Sequence, residues 1–329
     1  MTRKYAGIYE ASLSEENVAL MKEDPSLNVP NLSIGQSRLK APLFDLERGE
    51  KVMDGAVDIH IHPAPDPYQR RLGDMLELAM EACQAGMAAA VFKCHHFPTS
   101  PMVAMVQRVI NQWAGEHGKQ SLDVFGGVVL NYAVGGLNPE AVIASSRIGG
   151  KVVWPPNVDS RHQRKLEGLE GGIDLLDEND NPLPLMKEIL SLMAEGDQVL
   201  AMSAISTKER FILIDEAKKM GIKRMEVVHP NQPNSKMTIA QMKIAAEKGA
   251  YIGLYCHAFD YPQFSWDEFM DAYKVVGADH IVIGTDQGNF RGFRPVAAMR
   301  HFITQMLHRG ILDTDVEKMV KTNARNLLY

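Results

Sequence analysis

Two histidines two residues apart, His60 and His62, lie in an apolar stretch early in the chain. Side chains alternate between the two faces of a β-strand, so both histidines are predicted to point the same way, with Asp58 below them on the same side. Imidazole is the commonest protein ligand for zinc and iron. We therefore predict half of a metal site at the end of a strand. The alternative is a pair of half-buried histidines that bond to protein groups.

The composition of the chain favours one main domain and argues against several classes of partner. The chain has 329 residues, of which 45% are apolar and 23% charged, so it can bury a large core. The formal net charge is -6 and no basic cluster interleaves with aromatic residues, so we expect no nucleic-acid partner. We also expect no membrane role, because no apolar run approaches the roughly 18 residues that span a bilayer.

The cysteines of the chain indicate a reducing compartment. Cys83, Cys94 and Cys256 lie in apolar segments, are odd in number and form no CxxC pair. A disulfide framework is therefore not expected. We predict a reduced protein of the cytoplasm.

From residue 55 onward, short β-branched or apolar runs alternate with amphipathic stretches that end near glycine. The predicted strands are 57–62, 89–95, 124–131, 151–154, 198–204, 225–229, 251–257 and 281–286. The predicted helices are 75–85, 102–117, 139–148, 185–194, 208–220, 239–248, 266–276 and 295–308. Strict alternation indicates an α/β protein with a parallel sheet, and eight repeats indicate a closed (β/α)8 TIM barrel. An open doubly wound sheet is the alternative, but it would need a glycine fingerprint after the first strand.

The segment before the barrel lacks the regular alternation of apolar runs and amphipathic stretches that begins at residue 55. A short helix is predicted around residues 14–22, and Pro25 and Pro30 end it. An irregular connector follows. We therefore divide the chain into an N-terminal arm, residues 1–52, and a metal-dependent barrel, residues 53–329. The arm is expected to pack on the barrel or on a second subunit, so we expect a homo-oligomer.

Polar residues collect where the predicted strands stop, which is where active sites of (β/α)8 barrels lie. The candidates at these ends are His60, His62, Lys93, His95, Asn131, His229, His257 and Asp286. A buried carboxylate such as Asp286 is costly unless it meets a cation, although a helix N-cap is the alternative. Beyond it, Arg291 and Arg294 can hold a carboxylate or phosphate of the substrate, or form surface ion pairs. We assign Asn131 and His257 to substrate contact as well.

The chain resembles the amidohydrolase superfamily of metal-dependent (β/α)8 barrels. The resemblance covers residues 52–329 and rests on the sequences DIHIH at 58–62, VVHP at 227–230, GTD at 284–286 and NARNLL at 323–328. The chain is more closely similar to an uncharacterised branch of that superfamily. The HxHxxPD, KxHH and GGLNP motifs of that branch correspond to residues 60–66, 93–96 and 135–139.

The resemblance implies roles for four of the candidates. It makes His60 and His62 ligands of a first metal ion, and Asp286 a ligand that also takes the proton of the attacking water. It makes His229 a ligand of a second metal or a substrate contact.

Two departures affect the number of metal ions. Members of the superfamily with two metals usually have a bridging carboxylated lysine or a glutamate after strand four, and a histidine after strand five. This chain has Trp154 and Ala204 in those regions. Either it holds one ion, or Lys93 and His95, at spacing two on strand two, complete a second site. Lys93 then either carries a bridging carboxylate or stays an ammonium that faces an anionic substrate.

These features predict an amidohydrolase-like metal-dependent hydrolase of a small polar molecule, such as an amide, lactam or lactone. The cofactor is a divalent ion, with zinc favoured over iron and manganese, and Asp286 and Lys93 are the catalytic candidates. Two alternatives stay open. One is a nonhydrolytic metal enzyme on the same barrel, either a decarboxylase or an iron-dependent oxygenase. The other is a noncatalytic binding protein, which Ala204 in place of a histidine favours.

Overall fold

The computed structural model describes residues 43–256, 265–290 and 292–329. The strands in these residues are β1 (Val57–Ile61), β2 (Ala89–Phe92), β3 (Asp123–Phe125), β4 (Gly127–Val129), β5 (Val152–Trp154), β6 (Val199–Met202), β7 (Met225–Val228), β8 (Tyr251–Tyr255) and β9 (Ile281–Gly284). The helices are α1 (Leu43–Met53), α2 (Met75–Gln84), α3 (Ser100–His117), α4 (Pro139–Arg147), α5 (Arg161–Leu166), α6 (Pro184–Glu195), α7 (Thr207–Lys219), α8 (Ile239–Glu247), α9 (Trp266–Val276), α10 (Pro295–His308), α11 (Asp313–Glu317) and α12 (Asn323–Leu328). The short helix predicted near residue 14 lies outside the described residues.

The strands form a closed parallel barrel. Neighbouring strands pair in chain order, from β1 to β3 and from β4 to β9. Only Gly126 separates β3 from β4, so these are two halves of one predicted strand. The end of β9 returns to β1, because the Asp286 amide donates to the His60 carbonyl at 2.8 Å and Ile61 forms a parallel bridge with Gln287. The predicted eight-stranded (β/α)8 barrel is confirmed.

The break between β3 and β4 has a steric cause. A Cβ atom at Gly127 would lie 1.8 Å from the Val152 carbonyl oxygen of β5, so only glycine allows this approach of the two strands. The Gly126 carbonyl also accepts from the amides of Lys151, at 2.8 Å, and Val152, at 3.3 Å. The strand is interrupted here, while its pairing with β5 continues.

Apolar side chains form an inner core in the barrel and an outer core between the barrel and its helices. The inner core consists of Val57, Ile59, Ala88, Ala89, Val91, Val129, Val152, Trp154, Val199, Ala201, Val228, Tyr255, Val282, Ala324, Leu327 and Leu328. The last three belong to α12, which covers the N-terminal ends of the strands. The site residues therefore lie at the opposite end. The three cysteines are buried and form no disulfide bond, and no helix in the described ranges has both the length and the apolarity to cross a bilayer.

Most of the predicted strands are present but end before their polar residues. β1 ends at Ile61, so that it includes His60 but not His62, and β2 ends at Phe92. His229 and Asp286 have φ angles of 36° and 52°, in the left-handed region, and a strand cannot continue through that conformation. Contrary to the sequence prediction, the two-residue period of a strand does not apply to Lys93 and His95, because both lie beyond β2.

Helix α1 falls within the segment that the sequence assigned to the N-terminal arm. It lies against α10, where Glu50 forms an ion pair with Arg300, and Arg48 forms another with Asp313 of α11. A Cβ atom at Gly49 would lie 2.7 Å from the Thr304 hydroxyl oxygen, so glycine permits close packing of the two helices. The part of the arm that the structure describes therefore packs on the barrel.

Asn323 in the closing NARNLL sequence anchors α12 to the barrel. Its buried side-chain amide donates to the carbonyls of Ala278, at 2.7 Å, and Ile281, at 2.6 Å. Asn323→Ala leaves both carbonyls without this donor, so we expect the free energy of unfolding to fall by about 2–4 kcal/mol. Chemical denaturation measures the loss. Asn326→Ala, at an exposed position of the same helix, is the control and should cost less than about 1 kcal/mol.

Candidate metal centre

Three buried side chains meet at the C-terminal end of the barrel. His60, His62 and Asp286 each offer one ligand atom, and these atoms all lie within 4.8 Å of one another. The His62 Nε2 atom is 3.0 Å from Asp286 Oδ1, and the His60 Nε2 atom is 3.4 Å from the same oxygen. His60 lies in β1, His62 directly after it and Asp286 in the turn after β9, and barrel closure brings these segments together. Two imidazoles and a carboxylate are a typical donor set for a divalent metal ion.

The tautomer of His62 places an acceptor opposite the Asp286 carboxylate. The Nδ1 atom of His62 is 3.0 Å from the Lys93 carbonyl oxygen, which can only accept, so Nδ1 carries the proton. Burial lowers the pKa of His62 to about 4, so the ring is neutral at physiological pH. Its Nε2 lone pair therefore faces a carboxylate oxygen. Two acceptors at this distance repel each other unless a cation lies between them, and the site thus fits a metal ion.

His60 gives a second indication of a missing cation. Neither of its ring nitrogens has a hydrogen-bond partner within the described ranges, although the side chain is buried. Burial also lowers the pKa of His60 well below its usual value, which keeps the ring neutral. A buried polar atom without a partner is costly. Coordination through Nε2 would satisfy that nitrogen.

Asp58 holds the strand that carries the two histidines. Its carboxylate accepts from the Thr285 amide at 2.9 Å, the Thr285 hydroxyl at 2.5 Å and the His60 amide at 3.2 Å. Burial raises the pKa of Asp58 to about 7. Asp58 therefore joins β1 to the turn after β9, and its oxygens bond to the protein rather than to the metal position.

Gln232 contacts the other oxygen of Asp286. Its Nε2 atom is 3.5 Å from Asp286 Oδ2, and the residue is buried. Gln232 lies in the turn after β7, three residues beyond His229. The His229 ring centroid is 6.4 Å from that of His60, and His229 is not part of the three-residue ligand group. Its Nδ1 atom has no hydrogen-bond partner among the residues that the structure describes. His229 therefore borders the site with one ring nitrogen available to a ligand or substrate.

Lys93 lies at the same end of the barrel and is almost fully buried. Its Nζ atom is 5.5 Å from the centroid of the Trp154 ring, and no described group accepts a hydrogen bond from it. Burial lowers the pKa of Lys93 to about 8, while Asp286 and Glu226 oppose this shift. Trp154 is the last residue of β5, which is the fourth strand of the barrel because β3 and β4 are halves of one strand. The superfamily usually has its bridging residue in this region.

His95 and Asn131 belong to a network of side chains beside the metal position. The His95 ring stacks on His62 with centroids 4.8 Å apart, and its Nδ1 atom lies 3.2 Å from Asn157 Oδ1. Asn131 donates to the His95 carbonyl at 3.0 Å and to Asn157 Oδ1 at 2.8 Å, and its own Oδ1 accepts from the Asn157 amide at 2.9 Å. Asn131, predicted as a substrate contact, therefore bonds to protein groups. His95, predicted as a ligand, supports His62 from the side.

Arg294, predicted to lie near Asp286 and contact the substrate, is bonded to other protein groups. Arg294 forms an ion pair with Glu81 at 2.6 Å and donates to the Leu72 carbonyl at 3.1 Å. This is the surface ion pair that the sequence left open. Arg291 and His257 lie outside the described residues. A different arginine, Arg71, is buried next to the site and forms an ion pair with Asp66 at 2.5 Å.

The comparisons with known proteins identify a family for this chain. A family model described as "Family of unknown function (DUF6282)" matches residues 55–253. The chain belongs to this family. The match includes the HxH sequence, Lys93 and His229, and it ends before Asp286. No curated protein matches the chain.

Solved structures place this DUF6282 member among proteins with the amidohydrolase fold. An amidohydrolase from Pseudomonas aeruginosa is 15% identical, with a TM-score of 0.59 over 86% of this chain and 98% of that one. The probable dipeptidase PvdM from the same organism is 14% identical, with a TM-score of 0.57 over 87% of this chain and 98% of that one. A betaaspartyl dipeptidase from Fervidobacterium islandicum is 15% identical, with a TM-score of 0.52 over 83% and 72%. The resemblance to the amidohydrolase superfamily is thus confirmed in the fold.

Sequence reasoning did not find Gln232 or Trp154 as site residues. Trp154 ends an apolar strand, and this pattern predicts a core residue. Its position, where relatives have a bridging residue, was the one feature that indicated a role in the site. Gln232 lies in a turn whose path only the tertiary structure shows. Both side chains carry an N–H donor, and neither glutamine nor tryptophan belongs to the metal-ligand pattern by which the histidines were found.

Arg210 of α7 positions the turn that carries His229 and Gln232 in this DUF6282 member. It is buried and donates to the carbonyls of Ser235, at 2.6 Å, and Val228, at 3.3 Å. Burial lowers its pKa to about 9. We expect Arg210→Met to speed amide hydrogen exchange in residues 229–237 by roughly tenfold or more, because two charge-assisted hydrogen bonds are lost.

Global stability should change much less, since the variant also removes a costly buried charge. Exchange measured by mass spectrometry on residues 229–237 and on α7 separates the two effects. Lys219→Met, at an exposed position of the same helix, is the control. Unchanged exchange in residues 229–237 would show that Arg210 does not hold this turn.

Proposed function

We propose that this protein is a metal-dependent hydrolase of a small polar molecule with an amide, lactam or lactone bond. The observation that carries the proposal is the approach of the His62 Nε2 lone pair to Asp286 Oδ1, at 3.0 Å in a buried site. His60 contributes a second imidazole without a partner. We assign one divalent ion to this group, with zinc first, because imidazole and carboxylate donors suit zinc, iron and manganese.

The side chains around the ion would divide the work of hydrolysis. When bound, the ion lowers the pKa of a coordinated water towards neutrality and polarises the scissile carbonyl. His60, His62 and Asp286 Oδ1 would hold the ion. Asp286 Oδ2 points to Gln232, at 3.5 Å, and is the oxygen that takes the proton of the attacking water and returns it to the leaving group. The Gln232 amide keeps this oxygen oriented.

Two measurements test the proposal. Elemental analysis of protein purified without added metal should find about one divalent ion per chain. A panel of small amides, lactams and lactones should then include a substrate whose hydrolysis stops with a chelator and resumes with zinc. Protein without a divalent ion that also gains no thermal stability from added metal contradicts the site. Iron in place of zinc would favour the oxygen-using alternative.

The same site makes a prediction about Lys93. A lysine that bridges two ions through a carboxylate would be needed for metal binding, whereas an ammonium would not. Because His60, His62 and Asp286 alone offer three ligand atoms to one ion, we expect Lys93→Met to keep wild-type metal content. Elemental analysis measures this, with Lys208→Met at an exposed position as the control. Loss of metal in Lys93→Met alone would instead establish the bridge.

A further inference from the structure

Two buried hydrogen-bond donors at the barrel mouth lack acceptors. Lys93 Nζ and Trp154 Nε1 belong to side chains that are each 1% exposed. Trp154 Nε1 is a buried atom without a hydrogen-bond partner within the described ranges, and Lys93 Nζ makes no hydrogen bond to a described group. The lysine nitrogen lies 5.5 Å from the centroid of the indole ring that carries Nε1. A buried donor without an acceptor is costly. Two such donors side by side therefore indicate a site for a group that accepts hydrogen bonds from both.

Two other buried cations in the described part of the chain, Arg71 and Arg210, are hydrogen-bonded to the protein. Arg71 is paired with Asp66, and Arg210 donates to two carbonyls. The two acids that interact most strongly with the charge of Lys93, Asp286 and Glu226, are in contact with other side chains. Glu226 accepts a hydrogen bond from the Tyr255 hydroxyl, and Asp286 faces His62 and Gln232. Lys93 thus differs from Arg71 and Arg210 in making no hydrogen bond to a described group, and like Arg210 it has no contacting carboxylate that balances its charge.

We propose that Lys93 and Trp154 bind a carboxylate group of the substrate, so that the substrate class is small carboxylic acids with a hydrolysable amide or ester bond. This inference rests on the proposed hydrolase function. A carboxylate supplies one oxygen to each donor and the negative charge that a buried ammonium requires. A neutral carbonyl would satisfy the indole N–H but leave the charge of Lys93 unbalanced. A phosphate dianion would bring more charge than one lysine balances.

The position of Lys93 also relates this subsite to the metal position. Lys93 Nζ is 5.5 Å from the centroid of the Trp154 ring, and that centroid is 6.0 Å from the centroid of the His60 ring. The carbonyl of Lys93 fixes the tautomer of His62. A carboxylate held by Lys93 would therefore lie close to the metal position. In such a substrate, few atoms would separate the carboxylate from the bond that is hydrolysed.

The indole N–H resonances give a direct test. The chain has three tryptophans, so a ¹⁵N–¹H spectrum shows three indole signals, and Trp154→Phe identifies the one from Trp154. The probe is acetate, with acetamide as its neutral isostere. Acetate added to the protein as purified should shift the Trp154 signal in a saturable way, and acetamide should not. Lys93→Met should weaken the acetate effect by roughly 10–100-fold.

Controls distinguish this subsite from binding at the metal and from loss of folding. Elemental analysis and thermal unfolding of Lys93→Met show whether the ion and the fold are retained. If that variant does not fold, Trp154→Phe replaces it, and calorimetry should show about 3–10-fold weaker acetate binding. Acetate binding that Lys93→Met leaves unchanged, equal shifts with acetamide, or no saturable shift overturns the subsite. Lys93-dependent binding in protein that holds no metal would support the subsite and contradict the hydrolase.

Discussion

Replacement of both His60 and His62 by alanine is expected to remove the metal ion from the barrel mouth. Loss of a single partner that only orients a ligand already costs roughly 10–100-fold in metal affinity, so loss of two direct ligands should cost more than this. Elemental analysis should find wild-type protein loaded and the double variant empty. The thermal stabilisation that added zinc gives to wild-type protein should vanish as well.

His117→Ala is the matched control for this experiment. His117 is exposed near the end of α3 and stacks on Trp113 at 4.4 Å, far from the ligand group in the sequence and outside it in the structure. Its replacement should leave metal content unchanged. Full metal occupancy in the double histidine variant would show that the ion binds elsewhere, and the assignment of the centre would be wrong.

Asp286→Asn is expected to have the second largest effect, because it removes the proton acceptor while keeping the shape of the side chain. General acid–base catalysis by a placed side chain is worth roughly 10²–10⁴-fold, so turnover of any substrate found should fall by that factor. Rates measured at saturating zinc separate this loss from weaker metal binding. Asp174→Asn, at an exposed ion pair with Arg161, is the control. Turnover that stays near the wild-type rate would exclude Asp286 as the acid–base group.

The same variant should have the opposite effect on stability in the absence of metal. In wild-type protein without an ion, His62 Nε2 and Asp286 Oδ1 are two acceptors 3.0 Å apart. An asparagine can turn its amide nitrogen towards Nε2 and donate to it. We therefore expect Asp286→Asn to unfold at a higher temperature than wild-type protein when both are treated with a chelator. A lower unfolding temperature would contradict the tautomer assigned to His62.

The order of helices and strands could be predicted from the sequence because it depends on local patterns. Helices such as α9 and α10 have the bounds that the three- and four-residue spacing of apolar side chains indicates. Strict alternation with strands leaves few topologies, and right-handed crossovers close eight of them into a barrel. The pair His60 and His62 was also visible in the sequence, since both ligands lie within three residues of one another.

The partners of the other site residues were decided by tertiary structure alone. Asp286 meets the two histidines because β9 closes onto β1, and its left-handed backbone turns the carboxylate towards them. Asn131 and Arg294 looked equally available in the sequence, yet the fold provides Asn157 for one and Glu81 for the other. A strand-end position says that a side chain can reach the site. Whether it does depends on which acceptors and donors the neighbouring loops bring within hydrogen-bond distance. Those distances depend on the tertiary structure and cannot be predicted from the local sequence.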